Sequence, residues 1–158
     1  MLKSPIVVTL LVACCMNSYA QVSGTDHDAI QTTAGVVSIS KVGKARADGV
    51  TFNVTFEGAH FDQLYGSRYA YFTDGDTAHE PAERIIIEDF VGGFSEPPSV
   101  SMYDFRKQPP AVLPISNALD LDEVRWTDDN VFLSAAGKWY TFSHDRLSRS
   151  KLPKRAAQ

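Results

Sequence analysis

The sequence predicts an all-β fold: an antiparallel β-sandwich or partly open barrel of about seven or eight short strands, with a C-terminal three-stranded meander. Three observations predict it. Within residues 122–143, β-prone runs at 124–126, 131–135 and 139–142 are separated by the turn sequences Thr127-Asp128-Asp129-Asn130 and Ala136-Gly137-Lys138. Val50, Phe52, Val54 and Phe56 alternate with Thr51, Asn53, Thr55 and Glu57, the pattern of a strand with one buried and one wet face. Turn signals then recur along the chain at the spacing of a sandwich or barrel, and no segment has a convincing helical period.

Taken in order, residues 21–34 are polar without a period and read as a flexible lead-in, so a single domain is expected over 35–143. Val37 and Ile39 alternate with Ser38 and Ser40, Gly43 breaks the run, and Ala47-Asp48-Gly49 turns the chain so that this strand pairs with 50–56 as a hairpin. Burying Val50, Phe52, Val54 and Phe56 contributes on the order of 6–10 kcal/mol before conformational entropy is subtracted. Residues 58–67 read as a loop with aromatic content, and 68–72 as the next strand, closed by Thr73-Asp74-Gly75-Asp76. Ile85, Ile86 and Ile87 place apolar side chains on both faces of one strand, which is expected to be central. Pro98 and Pro109-Pro110 bracket the strand at 100–105 and favour an edge or a bend there. The tail, 144–158, reads as disordered or, over 144–152 before Pro153, a short helix.

The runs SVSMYDF and EVRWTDDNVFLSAAGKWYTF, within residues 99–142, are similar in pattern to one blade of a β-propeller of the WD-repeat or TolB kind. The resemblance covers about a quarter of the chain, and the sequence shows no second copy. It implies a four-stranded antiparallel piece.

The first twenty residues combine Lys3, an apolar run from Ile6 to Met16 and Ser18-Tyr19-Ala20 before Gln21, the layout of a secretory signal peptide (1–20) cut after Ala20. Its apolar run falls short of the roughly 20 residues that span a bilayer, so no transmembrane helix is expected in the mature form. Leu11-Val12-Ala13-Cys14 resembles a bacterial lipobox, and lipidation of Cys14 is the alternative reading. Cys14 and Cys15 are the sole cysteines, so a chain cut after Ala20 keeps no thiol and no disulfide. The expected location is periplasmic or secreted, with an outer-membrane-anchored lipoprotein as the alternative.

Between Gln21 and His144 there are 18 acidic and 9 basic residues, whereas the tail from Asp145 carries one acid against Arg146, Arg149, Lys151, Lys154 and Arg155. An acidic body disfavours nucleic acid, whose phosphates need a basic face. No nucleophile elbow, phosphate loop or dinucleotide fingerprint is present, and no cofactor is expected. The turn holding Asp74, Asp76, His79 and Glu80 gathers oxygens that could hold calcium, yet it lacks the EF-hand glycine and ends on Ile85 where the final acid belongs; a solvated turn is the plainer reading. His60 and Asp62 share a face if extended, without a third ligand in view.

Phe61, Tyr65, Arg68, Tyr69 and Tyr71 have the Tyr/Arg character of protein-binding surfaces, against the plainer reading that the tyrosines cover the core with their hydroxyls at its rim. The expectation is therefore an exported acidic β-domain that binds another macromolecule in the envelope, in an inhibitor or immunity-type role. Alternatives are a divalent-metal-dependent hydrolase and a surface or assembly component.

Overall fold

The computed structural model describes residues 17–44, 47–76, 79–92 and 95–151, the side chains of 17–19 excepted. Most of the expected signal segment, including Cys14, and the tail beyond Lys151 lie outside the described residues. Every element described is a strand and every strand pairing is antiparallel: Asn17–Tyr19 (β1), Val22–Ser23 (β2), His27–Thr32 (β3), Gly35–Lys41 (β4), Phe52–Phe56 (β5), Ala59–Leu64 (β6), Tyr69–Thr73 (β7), Arg84–Asp89 (β8), Ser99–Asp104 (β9), Ala111–Ser116 (β10), Glu123–Trp126 (β11), Val131–Ala135 (β12), Lys138–Ser143 (β13) and Arg146–Ser150 (β14). No helix among the described residues is long and apolar enough to cross a membrane.

The strands form three sheets, β3-β4-β5-β6, β10-β9-β8-β7-β2 and β1-β11-β12-β13-β14. Each is an up-and-down meander of four consecutive strands, to which the N-terminal segment adds β1 on one sheet and β2 on another. The sheets stack in three layers with the β7–β10 sheet in the middle. Ile85, Ile87 and Tyr103 on one face of that sheet pack against Val37, Ile39 and Val54 of the first sheet, while Phe72, Ile86 and Met102 on its other face pack against Val124, Leu133 and Phe142 of the last. The alternation of the three isoleucines thus serves two cores, and every residue of β8 is buried. That is the central strand its composition predicts.

Several stretches differ from expectation, each for a local reason. The chain holds more strands than seven or eight because stretches read as coil pair at sheet edges, where one or two apolar residues suffice. The lead-in 21–34 carries β2 and β3, and β3 buries Ile30 and Thr32. The loop 58–67 contains β6, joined to β5 by Glu57 and Gly58, both at positive φ (49° and 78°), as the twist of a two-residue hairpin requires. Over the described residues 144–151 the tail is neither disordered nor helical: His144 and Asp145 (φ 50° and 56°) turn the chain into β14, which presents Arg146 and Arg149 to solvent and buries part of Leu147 against the core. The meander accordingly has four strands rather than three. β9 is not an edge, since it pairs with β8 and β10; the prolines mark β10, where Pro114 sits beside a register shift. The blade-like segment is divided between two layers, β9 and β10 in the middle sheet and β11 to β13 in the last.

Candidate functional site

The first sheet is one strand narrower than the other two, and the open edge of β6 has no strand beside it among the described residues. Next to that edge the middle sheet continues uncovered, so a groove of about 240 Å³ runs between the end of β6 and the floor made by Asp89, Ser101, Val112 and Pro114. Register explains the floor. Asp89, Ile87, Ser101, Tyr103 and Val112 share the face of the middle sheet that looks toward the first sheet.

The groove contains two carboxylates. A β-bulge where Val54 and Thr55 of β5 face Asp62 and His60 turns both Phe61 and Asp62 inward and leaves His60 exposed. Asp62 Oδ2 accepts the Tyr103 hydroxyl at 2.8 Å and Oδ1 accepts the Gln63 amide at 2.8 Å. Asp89 is 7 % exposed and accepts the amides of Tyr65 and Gly66 at 2.9 and 2.7 Å. Burial pushes the Asp89 carboxyl above the ordinary range, and the nearby Asp62 charge adds to the rise against the pull of the two amides. Burial likewise drives the Tyr103 phenol well up, with Asp62 reinforcing it. No lysine or arginine is among the described residues lining the groove. Its rim holds Tyr65 and Val91, 47 % and 57 % exposed, two of the three exposed large apolar side chains described.

Gly66 is fixed by this arrangement. A Cβ there would stand 2.5 Å from the Phe90 carbonyl carbon and collide with the Asp89 carboxylate, so only glycine lets the loop lie on the end of β8.

The aromatic set expected at a binding surface is divided. Tyr65 is exposed at the groove. Arg68 is exposed, with its guanidinium 3.4 Å above the centre of the Phe90 ring. Phe61 packs edge-on to Tyr103, Tyr69 is 2 % exposed with its hydroxyl donating to Thr25 O and to the Asp28 carboxylate, and Tyr71 stacks on Tyr69. These three pack in or against the core, Tyr69 with its hydroxyl satisfied.

The oxygens of the Asp74–Glu80 turn are largely engaged. Asp74 forms a buried ion pair with Arg84 at 2.7 Å and accepts the amides of Glu83 and Arg84, while Asp76 accepts from His79 at 2.7 Å. Among the described residues no three His, Cys, Asp or Glu side chains are grouped to hold a metal ion. A second recess, about 250 Å³, opens beside this turn and is walled by Glu80, Glu83, Arg84, Trp126 and Asp128. The Trp126 indole N–H is buried without a hydrogen-bond partner, and the Arg84 guanidinium lies 5.1 Å from that ring.

The sequence does not point to Asp89, Val91 or Tyr103, and it offers Asp62 only beside His60, from which the bulge turns it away. A bulge and a sheet step bring them together, and neither leaves a sequence period. The opposed directions of Glu88 and Asp89 were legible from strand alternation: Asp89 enters the groove, while Glu88 faces the last sheet and accepts the Leu121 amide at 2.8 Å. No family model, no curated protein and no solved structure matches this chain.

Proposed function

We propose that this chain is exported to a bacterial envelope by its first twenty residues and acts there by binding a protein partner, in an inhibitor or immunity-type role. The observation that supports the reading best is the joining of exposed Tyr65 and Val91, two of the three exposed large apolar side chains described, to one groove. The acidic body, 18 acids against 9 bases between Gln21 and His144, suits a basic partner and steers it inward.

The test is retention of an envelope protein by the tagged chain beginning at Gln21, compared with Tyr65→Ala and Val91→Ser. One discrete partner, retained by the wild type and reduced roughly tenfold by either variant, supports the reading, because a groove-rim anchor is worth about 1–2 kcal/mol or more. Equal retention by all three, or none by the wild type, removes it. Intact mass of the envelope form decides the anchoring question, since a start at Gln21 and an acylated Cys14 exclude one another.

A further inference from the structure

We propose that the groove accepts an extended segment of the partner as an added strand on the open edge of β6, with a lysine or arginine of that strand seated between Asp62 and Asp89. The proposal rests on the protein-binding reading above and gives its mode.

The protein already builds its sheets this way. β2 adds to β7 over two residues from a segment remote in sequence, and in the uncut chain residues 17–19, which a cut after Ala20 removes, add to β11 in the same way. The first sheet has four strands and gains none from such a segment. Among the other edges, β3 is joined at its C-terminal end to the chain at Ala82 through a parallel bridge and backbone bonds from Thr33 and to Gln31, β10 carries Pro114 and a register shift, and β14 presents Arg146 and Arg149. β6 beyond its bulge, Asp62 to Leu64, has no proline and no lysine or arginine. In the free chain the outward Gln63 amide is held by the Asp62 carboxylate, 2.8 Å away, a contact that an incoming carbonyl can take over while freeing Asp62 for a cation.

The chemistry of the groove selects the side chain. Leu64, Val91, Val112 and Pro114 provide apolar wall for an aliphatic stem, and Asp62 and Asp89 provide two acceptors with no resident cation among the described lining residues. A neutral apolar side chain would desolvate those carboxylates further with no added counter-charge beyond the hydrogen bonds from Tyr103 and the backbone amides, and an acidic one would add a third negative charge. The volume of about 240 Å³ suits one long side chain rather than a helix or a folded lobe.

The probe is an acetylated, amidated heptapeptide of alternating threonine and valine with lysine at its centre, titrated into the ¹⁵N-labelled chain; controls carry norleucine or glutamate at the centre. Saturable shifts are expected at the Gln63, Tyr65 and Gly66 amides, the first reporting the edge and the other two the Asp89 carboxylate. The lysine peptide should bind roughly tenfold tighter than the norleucine peptide and lose that advantage in Asp62→Asn, which keeps the acceptor for Tyr103 but not the charge. Binding should weaken as salt rises. Equal binding of the norleucine peptide, shifts centred away from β6, or no saturable shift at millimolar peptide overturns the proposal. Its failure is separable from that of the partner reading: a peptide that binds as described while no envelope protein is retained sinks only the latter, and a partner lost on Tyr65→Ala but retained by Asp62→Asn sinks only the former.

Discussion

Glu88 has no exposed surface, and its carboxylate ties the middle sheet to two remote segments, accepting the Leu121 amide and, at 2.5 Å, the side-chain amide of Gln21. Burial outweighs those bonds and pushes its pKa up to about 7 from an ordinary 4.5. A carboxyl whose folded pKa lies above its unfolded one keeps a proton in the native state that the unfolded chain has released, so stability falls as pH rises from about 4.5 to about 7 and is level above. The loss is on the order of 3 kcal/mol across that window. Asp28 and Asp104 act below it. Burial raises both, but the bonds from Tyr69 and Thr25 to the first and from Arg106 to the second prevail and hold them under the usual range, so their contribution is lost only in stronger acid. Urea unfolding of Glu88→Gln is therefore expected to match the wild type near pH 4.5, to exceed it at pH 8, and to show little slope between; a wild-type curve that rises over this range would refute the assignment. Asp89 is raised too and blurs the acid end, which is why the comparison at pH 8 decides.

At the scale of elements, hairpin turns determine which strands could be read in advance. Ala136-Gly137 joins β12 to β13 with φ of 49° and 70°, and its glycine announces the turn in the sequence. Glu57-Gly58 offers the same sign, yet the alternation on its far side is spoiled by the bulge at Phe61, so β6 resembles a loop. His144-Asp145 offers no glycine at all, and β14 has a single apolar residue, Leu147, which is all an edge strand needs and too little to form a period. The hidden candidate site has the same cause: Asp62, Gln63 and Leu64 lie on β6, and most of the rest come from the face of the middle sheet that looks toward it. Alanine at φ 49° is held in the left-handed region without a side-chain oxygen to support it. Ala136→Asn relieves that mismatch and is expected to raise stability by about 0.5–1 kcal/mol, seen as a higher urea midpoint at unchanged slope. An unchanged or lower midpoint would show that the turn is not of the type the dihedrals describe.

The whole molecule is a stack in which one sheet belongs to two cores, and this joins its layers into one cooperative unit. Ile86 and Ile87 are neighbours on β8 with 0 % and 1 % exposure, yet Ile86 contacts the Val124–Leu133–Phe142 side and Ile87 the Val37–Ile39–Val54 side. Truncating either to alanine removes methyl groups from one layer and should cost about 2–5 kcal/mol. Both tryptophans, Trp126 and Trp139, are in the last sheet, so their fluorescence reports that layer, whereas far-ultraviolet circular dichroism reports all three. If the sheets unfolded independently, Ile87→Ala would lower the dichroism midpoint and leave the fluorescence midpoint where it was. The shared strand forbids this, because loss of the first sheet exposes Ile85, Ile87 and Tyr103 on the same backbone that holds Phe72, Ile86 and Met102 against the last. Ile87→Ala and Ile86→Ala are therefore expected to shift both signals together, each in a single transition with coincident midpoints. Divergent midpoints in Ile87→Ala alone would mean that the first sheet is an appended layer, and that the groove at its edge can open without disturbing the rest.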